Sequence, residues 1–345
     1  LARLITAVVA AFLFLTTGIA WLAGTADATT PIASPTGPHP VGRLDTTIAN
    51  GPRTIAVSAW YPTTVTGQSP YIPAANDINR AQLAAQAAAW LRTPAAGPAM
   101  ATATLPVATA APVDGTQLPV VIWSPGMGTP RWLGSGLAVD LAARGIVVVT
   151  MDHTGESPAV DIAGRVHAGS PPDSTDTSYM RRALATRVAD TRTVLDHLHR
   201  LPIVGPHLDL SRIAMAGHSY GGQTTITAMS SDPRIRTGIV LDGSAGWDGV
   251  TPAPAIDRPV LLLASGDMVH ASWTHTTATI ATLAGAGHYT GTDLPMFGCG
   301  PEFCGTINPH LGIALTRGVV AAWLDRELLG HQHAMPQDPA LRWQR

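Results

Sequence analysis

The stretch from Ile213 to Ser230 limits the possible folds of this chain more than any other. Ile213-Ala214-Met215-Ala216 is a short apolar run, Gly217-His218-Ser219-Tyr220-Gly221-Gly222 follows at once, and Gln223 to Ser230 is helix-competent. This is G-x-S-x-G between a strand and a helix, the setting in which that pattern has mechanical meaning. A turn this sharp strains the backbone at the serine. Glycines are needed two residues before and two after it, because larger side chains would collide across the bend. The strain lifts the hydroxyl above a sheet edge and aims the N-terminus of the following helix at it.

The rest of the chain supplies the sheet that such a turn needs. Leu118–Trp123 (LPVVIW), Gly145–Met151 (GIVVVTM), Gly238–Asp242 (GIVLD) and Pro259–Ala264 (PVLLLA) are continuous apolar runs, as for strands buried on both faces. Between them lie helix-like segments: Arg131 to Arg144, stopped by Gly145, then a long one in which Met180, Leu184, Val188, Thr191, Leu195 and Leu198 recur at threes and fours. Asn308 to Leu329 reads as a closing helix before Gly330. Strands alternating with helices predict an α/β fold with a mostly parallel central sheet flanked by helices. Thr54–Tyr61 alternates as a half-buried strand, and Ala278–Leu283 could be the last one. Residues 71–117 read as a helical insertion packed on the surface, with a helix over Asn79–Leu91. Residues 331–345 read as a tail.

In such a sheet the chemistry sits beyond the carboxyl ends of the strands. A serine nucleophile needs a base, and the histidines that follow it are His270, His275, His288, His310, His331 and His333. His288 is favoured, because Ala284-Gly285-Ala286-Gly287-His288 is a Gly-rich loop leaving the last strand. The acid that orients it is Asp242, after GIVLD, or Asp267, after PVLLLA; spacing does not choose between them. Oxyanion donors are expected from the amides of Tyr220 and of Met127 in Ser124-Pro125-Gly126-Met127-Gly128. Trp123, Met127, Trp132, Tyr220, Trp247, Met296 and Phe297 are candidates for an apolar rim, and His153 is a weaker site candidate. No metal or organic cofactor is needed for such chemistry.

Composition narrows the partners. Charged residues are 13% of the 345, with net charge -2 and no basic stripe, which argues against nucleic acid. Leu4 to Gly24 is uncharged and mostly apolar, and Ala26-Asp27-Ala28 offers a small-residue cleavage site. Residues 1–28 thus read as an export signal or a retained membrane anchor (4–24), and both readings place the remainder outside the cytoplasm. Residues 29–42 read as a Pro/Ser/Thr-rich linker, and 43–330 as one hydrolase domain. In an exported chain Cys299 and Cys304, the only cysteines, suggest a local disulfide.

Several segments together resemble the plasma-type platelet-activating-factor acetylhydrolases and their bacterial relatives, within the α/β-hydrolase superfamily. They are TIAVSAWYP (54–62), VVIWSPGMG (120–128), LAARGIVVVTMDHTG (141–155), GHSYGG (217–222), RIRTGIVLDG (234–243) and AGAGHYTGTDLPMF (284–297). The resemblance implies Ser219, Asp242 and His288 as triad and the Met127 and Tyr220 amides as oxyanion hole. It also implies hydrolysis of carboxylic esters, lipid or short-acyl. The family's usual H-G after the first central strand is Pro125-Gly126 here. Cutinase-like polyester hydrolases share GHS-x-GG but place the acid one strand later, which would match Asp267. A non-catalytic binding module on the same fold is the third reading.

Overall fold

The computed structural model describes residues 32–246, 255–266, 269–273 and 277–344. Ten strands form one sheet: β1 (Val41–Asn50), β2 (Arg53–Pro62), β3 (Val107–Thr109), β4 (Leu118–Ser124), β5 (Val147–Met151), β6 (Leu208–His218), β7 (Ile235–Leu241), β8 (Val260–Ser265), β9 (Thr279–Leu283) and β10 (Leu341–Trp343). Their spatial order is β10-β9-β8-β7-β6-β4-β5-β2-β1-β3. The six central strands, β5, β4, β6, β7, β8 and β9, run parallel. Antiparallel β2 and β10 border them. This is the mostly parallel sheet that the alternation of apolar runs predicts, and it agrees with the α/β-hydrolase fold that the resemblance implies.

Each central strand is apolar on both faces because both faces are covered. In β4, Val121 and Trp123 join one core layer and Val120 and Ile122 the other. The first layer packs against α1 (Asp77–Trp90), α2 (Ser135–Ala143) and α5 (Pro309–Glu327), the second against α3 (Thr177–His197) and α4 (Tyr220–Ser231). Strand periodicity of two sends alternate side chains to opposite layers, so a run such as VVIW must be apolar throughout.

Three expectations need correction. The 71–117 segment is not merely laid on the surface. Leu83, Ala84, Ala87 and Met100 are core residues, and Val107–Thr109 extends the sheet beside β1. Its Ala-rich composition hides this, since small side chains let a helix approach closely without an apolar stripe. The final residues are not a loose tail, because Leu341–Trp343 adds an edge strand against β9. From residue 32 the proposed linker is bound as well. The Thr36 amide and hydroxyl donate to Asp140, His39 N–H donates to the Ala143 carbonyl at 3.0 Å, and Arg317 donates to the carbonyls of Ala33 and Ser34. The export signal or anchor lies outside the described residues. Among the described residues no helix is long and apolar enough to cross a membrane.

A buried acid sits in this framework. Asp293 Oδ2 accepts from the Gly136 amide at 2.9 Å and from the Tyr71 hydroxyl at 3.1 Å. Burial, against the pull of these donors and of Arg317, pushes its pKa up from 3.8 to about 6. Between those values the folded chain holds a proton that the unfolded chain has released, so stability falls as pH rises from about 4 through 6. The size is up to about 3 kcal/mol. Asp293→Asn should lack this slope. Urea unfolding at pH 4.5 and 7 should show the wild type losing stability relative to the variant; a constant gap would contradict the buried neutral acid.

Candidate active site

The end of β6, the turn and the start of α4 place Ser219 at φ 55°, ψ -121°, a conformation that side-chain-bearing residues rarely adopt. Such strain costs about 1–3 kcal/mol and persists only where the surroundings enforce it. Here they do. A Cβ on Gly217 would lie 2.1 Å from the Gly221 carbonyl oxygen, and one on Gly221 would lie 2.0 Å from that of Ser124. The Ser219 amide donates to the Leu241 carbonyl at 2.9 Å, tying the turn to the end of the neighbouring strand.

Two more strand ends bring their side chains to it. Asp242 follows β7, itself at φ 47°. Its Oδ1 accepts the Ser265 amide at 2.7 Å, and its Oδ2 meets His288 Nδ1 at 2.5 Å. His288, on the loop after β9, sets Nε2 2.8 Å from Ser219 Oγ. A carboxylate can only accept, so Nδ1 carries the hydrogen and Nε2 is left to accept the serine's. Burial works to raise the Asp242 pKa, but the hydrogen bond and charge of His288 and the Ser265 amide outweigh it and hold the carboxyl below its ordinary value.

The His288 loop is braced from both sides. Its carbonyl oxygen lies 2.6 Å from Nε2 of His218, whose pKa is pushed down to about 3 by burial first and then by His288. A neutral His218 therefore donates Nε2–H to that carbonyl. On the other side, Tyr289 N–H donates to Phe303 O at 2.9 Å and the Thr290 hydroxyl to Cys304 O at 3.1 Å. Cys299 and Cys304 are joined in a disulfide across this bracing segment.

A cavity of about 680 Å³ opens over the serine, and Met127, Ser219, Tyr220, Asp242 and His288 all line it. Neither the Met127 nor the Tyr220 amide has a hydrogen-bond partner among the described residues. Met180, Leu262, Ala264 and Val269 give the rest of the wall an apolar character, with His270 and Ser174 at its rim.

The other candidates lie elsewhere. Asp267, Trp247 and His275 fall outside the described residues. His310 is exposed at the start of α5, and the His331 and His333 rings pair with each other in the C-terminal segment. Trp123 and Trp132 are buried core, and Phe297 packs on Tyr71 with centroids 5.1 Å apart, so these three do not line the cavity; Met296 packs against the core too. His153 is fully buried. Sequence reasoning missed Met180 as a wall residue, because its place in an apolar helical stripe looked like ordinary core.

Comparison with known proteins completes the picture. The sequence pattern of the family described as platelet-activating factor acetylhydrolase, isoform II, matches residues 24–193 and 187–297. The chain belongs to this family. A probable 1-alkyl-2-acetylglycerophosphocholine esterase of Arthroderma benhamiae is 33% identical over 138 residues, 40% of this chain and 34% of that protein. Platelet-activating factor acetylhydrolases of Cavia porcellus and Gallus gallus are 29% and 26% identical, over 37% and 44% of this chain and 35% and 44% of theirs. The matches thus span well under half of these relatives' lengths. Among solved structures, a ferulic acid esterase from Streptomyces cinnamoneus superimposes with a TM-score of 0.77 at 26% identity, over 91% of this chain and 99% of that one.

Proposed function

We propose that this chain hydrolyses carboxylic esters through an acyl-enzyme on Ser219. The observation that carries this is the run Asp242–His288–Ser219, joined by bonds of 2.5 and 2.8 Å at the edge of a cavity with two unpaired amides. His288 takes the serine proton as Oγ attacks the ester carbonyl, and Asp242 stabilises the imidazolium that results. The Met127 and Tyr220 amides receive the oxyanion. His288 then protonates the departing alcohol, and water, activated by the same imidazole, releases the acid. None of these steps calls for a metal or an organic cofactor.

The relatives are acetylhydrolases and esterases by name, which supports ester hydrolysis over a non-catalytic binding role. The wall of Met127, Met180, Leu262 and Val269 suits the apolar part of a lipid or short-acyl ester. A polyester hydrolase using Asp267 has less support, since Asp242 already occupies the Nδ1 side of His288. Export of the domain, by a signal or anchor within residues 1–28, belongs to the same proposal and agrees with the disulfide.

The test is covalent labelling. A fluorophosphonate should modify the folded protein on the peptide containing Ser219, and p-nitrophenyl esters of increasing acyl length should be cleaved with an optimum set by the cavity. Folded protein that takes up no label, with no ester turnover, would refute the enzyme reading.

A further inference from the structure

Beneath Ser124–Gly128 lie four buried side chains to which the proposed reaction assigns no step: His153, Glu156, Arg187 and Asp190. Arg187 grips the loop from below. Nη1 donates to the Pro125 carbonyl at 2.8 Å and to Ser124 Oγ at 3.3 Å, and Nη2 donates to the Gly126 carbonyl at 3.0 Å. Its Nε donates to Glu156 Oε2 at 2.8 Å, and Glu156 Oε1 accepts the Gly128 amide at 3.3 Å. The same guanidinium lies over the Tyr220 ring, 5.1 Å from its centroid.

A second chain of bonds fixes the start of the loop. Ser124 Oγ meets His153 Nε2 at 2.9 Å, and His153 Nδ1 meets Asp190 Oδ2 at 3.1 Å. Arg53 Nη2 donates to that same carboxylate at 2.9 Å. Asp190 can only accept, so His153 carries its hydrogen on Nδ1 and accepts the Ser124 hydroxyl hydrogen on Nε2. The Ser124 oxygen is then free to accept from Arg187. Every bond in the run has one consistent direction. These are the residue types of a hydrolytic triad, yet Ser124 is wholly buried and does not line the cavity, so no ester can meet it.

Three polar backbone atoms around Met127 are therefore held. Carbonyls 125 and 126 are bound by Arg187 and amide 128 by Glu156, while amide 127 has no partner among the described residues. We infer that Arg187 and Glu156, seated by the Ser124–His153–Asp190 run, are positioning residues that hold the Met127 amide where the oxyanion forms. The guanidinium against Tyr220 couples this donor to the second one. Burying charges costs several kcal/mol per ion unless they are well paired, so a buried pair clamped to one loop calls for a reason beyond stability. This inference rests on the reading of Ser219 as nucleophile, because only then does an oxyanion develop beside Met127.

The experiment separates the two. Wild type, Glu156→Gln and Arg187→Lys are titrated with a fluorophosphonate to count reactive Ser219, and kcat is expressed per titrated site on p-nitrophenyl acetate. Losing a whole oxyanion donor costs about 10²–10³ in kcat, and a loosened one should cost about 10–100-fold with KM within about threefold. Arg187→Lys keeps the charge but not the two-armed grip, and should lose as much as Glu156→Gln. A residue with a merely structural role would lower the melting temperature and the number of titratable sites while leaving kcat per site at the wild-type value. That result would overturn this inference alone. A wild type that takes no label would overturn the nucleophile reading and this inference with it. Should either variant fail to fold, Ser124→Ala, which deletes one hydroxyl, carries the same comparison.

Discussion

Asp242→Asn should lower kcat on a short p-nitrophenyl ester by about four orders of magnitude while leaving the unfolding transition in place. The reason lies in the asymmetry of the carboxylate's partners. The Ser265 amide donates to Oδ1 at 2.7 Å, so the side-chain carbonyl of an asparagine would turn toward it. That places the NH2 group against Nδ1 of His288, where only an acceptor nitrogen would be tolerated. The imidazole hydrogen would move to Nε2, and a nitrogen bearing hydrogen cannot take the proton of Ser219. Raising the pH should not restore the rate, because the fault is in the tautomer. Asp267→Asn should be much milder. If Asp242→Asn stayed within tenfold of the wild type, the orienting acid would have to be sought elsewhere.

Ser219→Ala should lose about six orders of magnitude in kcat and all fluorophosphonate uptake. It also removes a strained serine in favour of a residue with the same backbone difficulty, so its unfolding free energy should stay within about 1 kcal/mol of the wild type. The unpaired Met127 and Tyr220 amides remain, and with them a residual acceleration of about 10³-fold over water. Active-site titration and pre-steady-state release of p-nitrophenol read both effects. Substantial turnover by this variant would remove the serine from the reaction.

What could be read from the sequence follows from what kind of force leaves a local mark. The strand–turn–helix at Ser219 was legible because glycine is required at 217, where a side chain would strike Gly221 across the bend, and at 221, where one would strike the Ser124 carbonyl. The central sheet was legible because burial on both faces demands unbroken apolar runs. The choice between Asp242 and Asp267 was not, because either sits after a strand, and the approach of the distant His288 loop to one of them leaves no mark in the local sequence. Resemblance, rather than spacing, favoured Asp242. The edge strand Leu341–Trp343 left no mark, since three residues on a sheet border need little apolar content. Arg187 was hidden as well. It stands on the inward face of α3 four residues before Thr191, and an arginine in a helical stripe is usually read as solvated. Its partners, Glu156 and the Pro125 and Gly126 carbonyls, come from separate stretches of chain, so nothing in its neighbourhood advertised that it would be buried.

Ser219 and Asp242, the nucleophile and acid candidates, ride on the ends of β6 and β7, and His288 on the loop after β9, strands held in one sheet by hydrogen bonding. The cavity wall takes Leu262 and Ala264 from β8, but it also draws Met180 from a helix and Val269 and His270 from a connecting segment. Part of the wall is thus mechanically separate from the strand ends that carry the triad candidates. An engineer could replace Met180, Val269 and His270, or natural drift could rewrite them, while the strand ends that hold Ser219 and Asp242 stayed as they are.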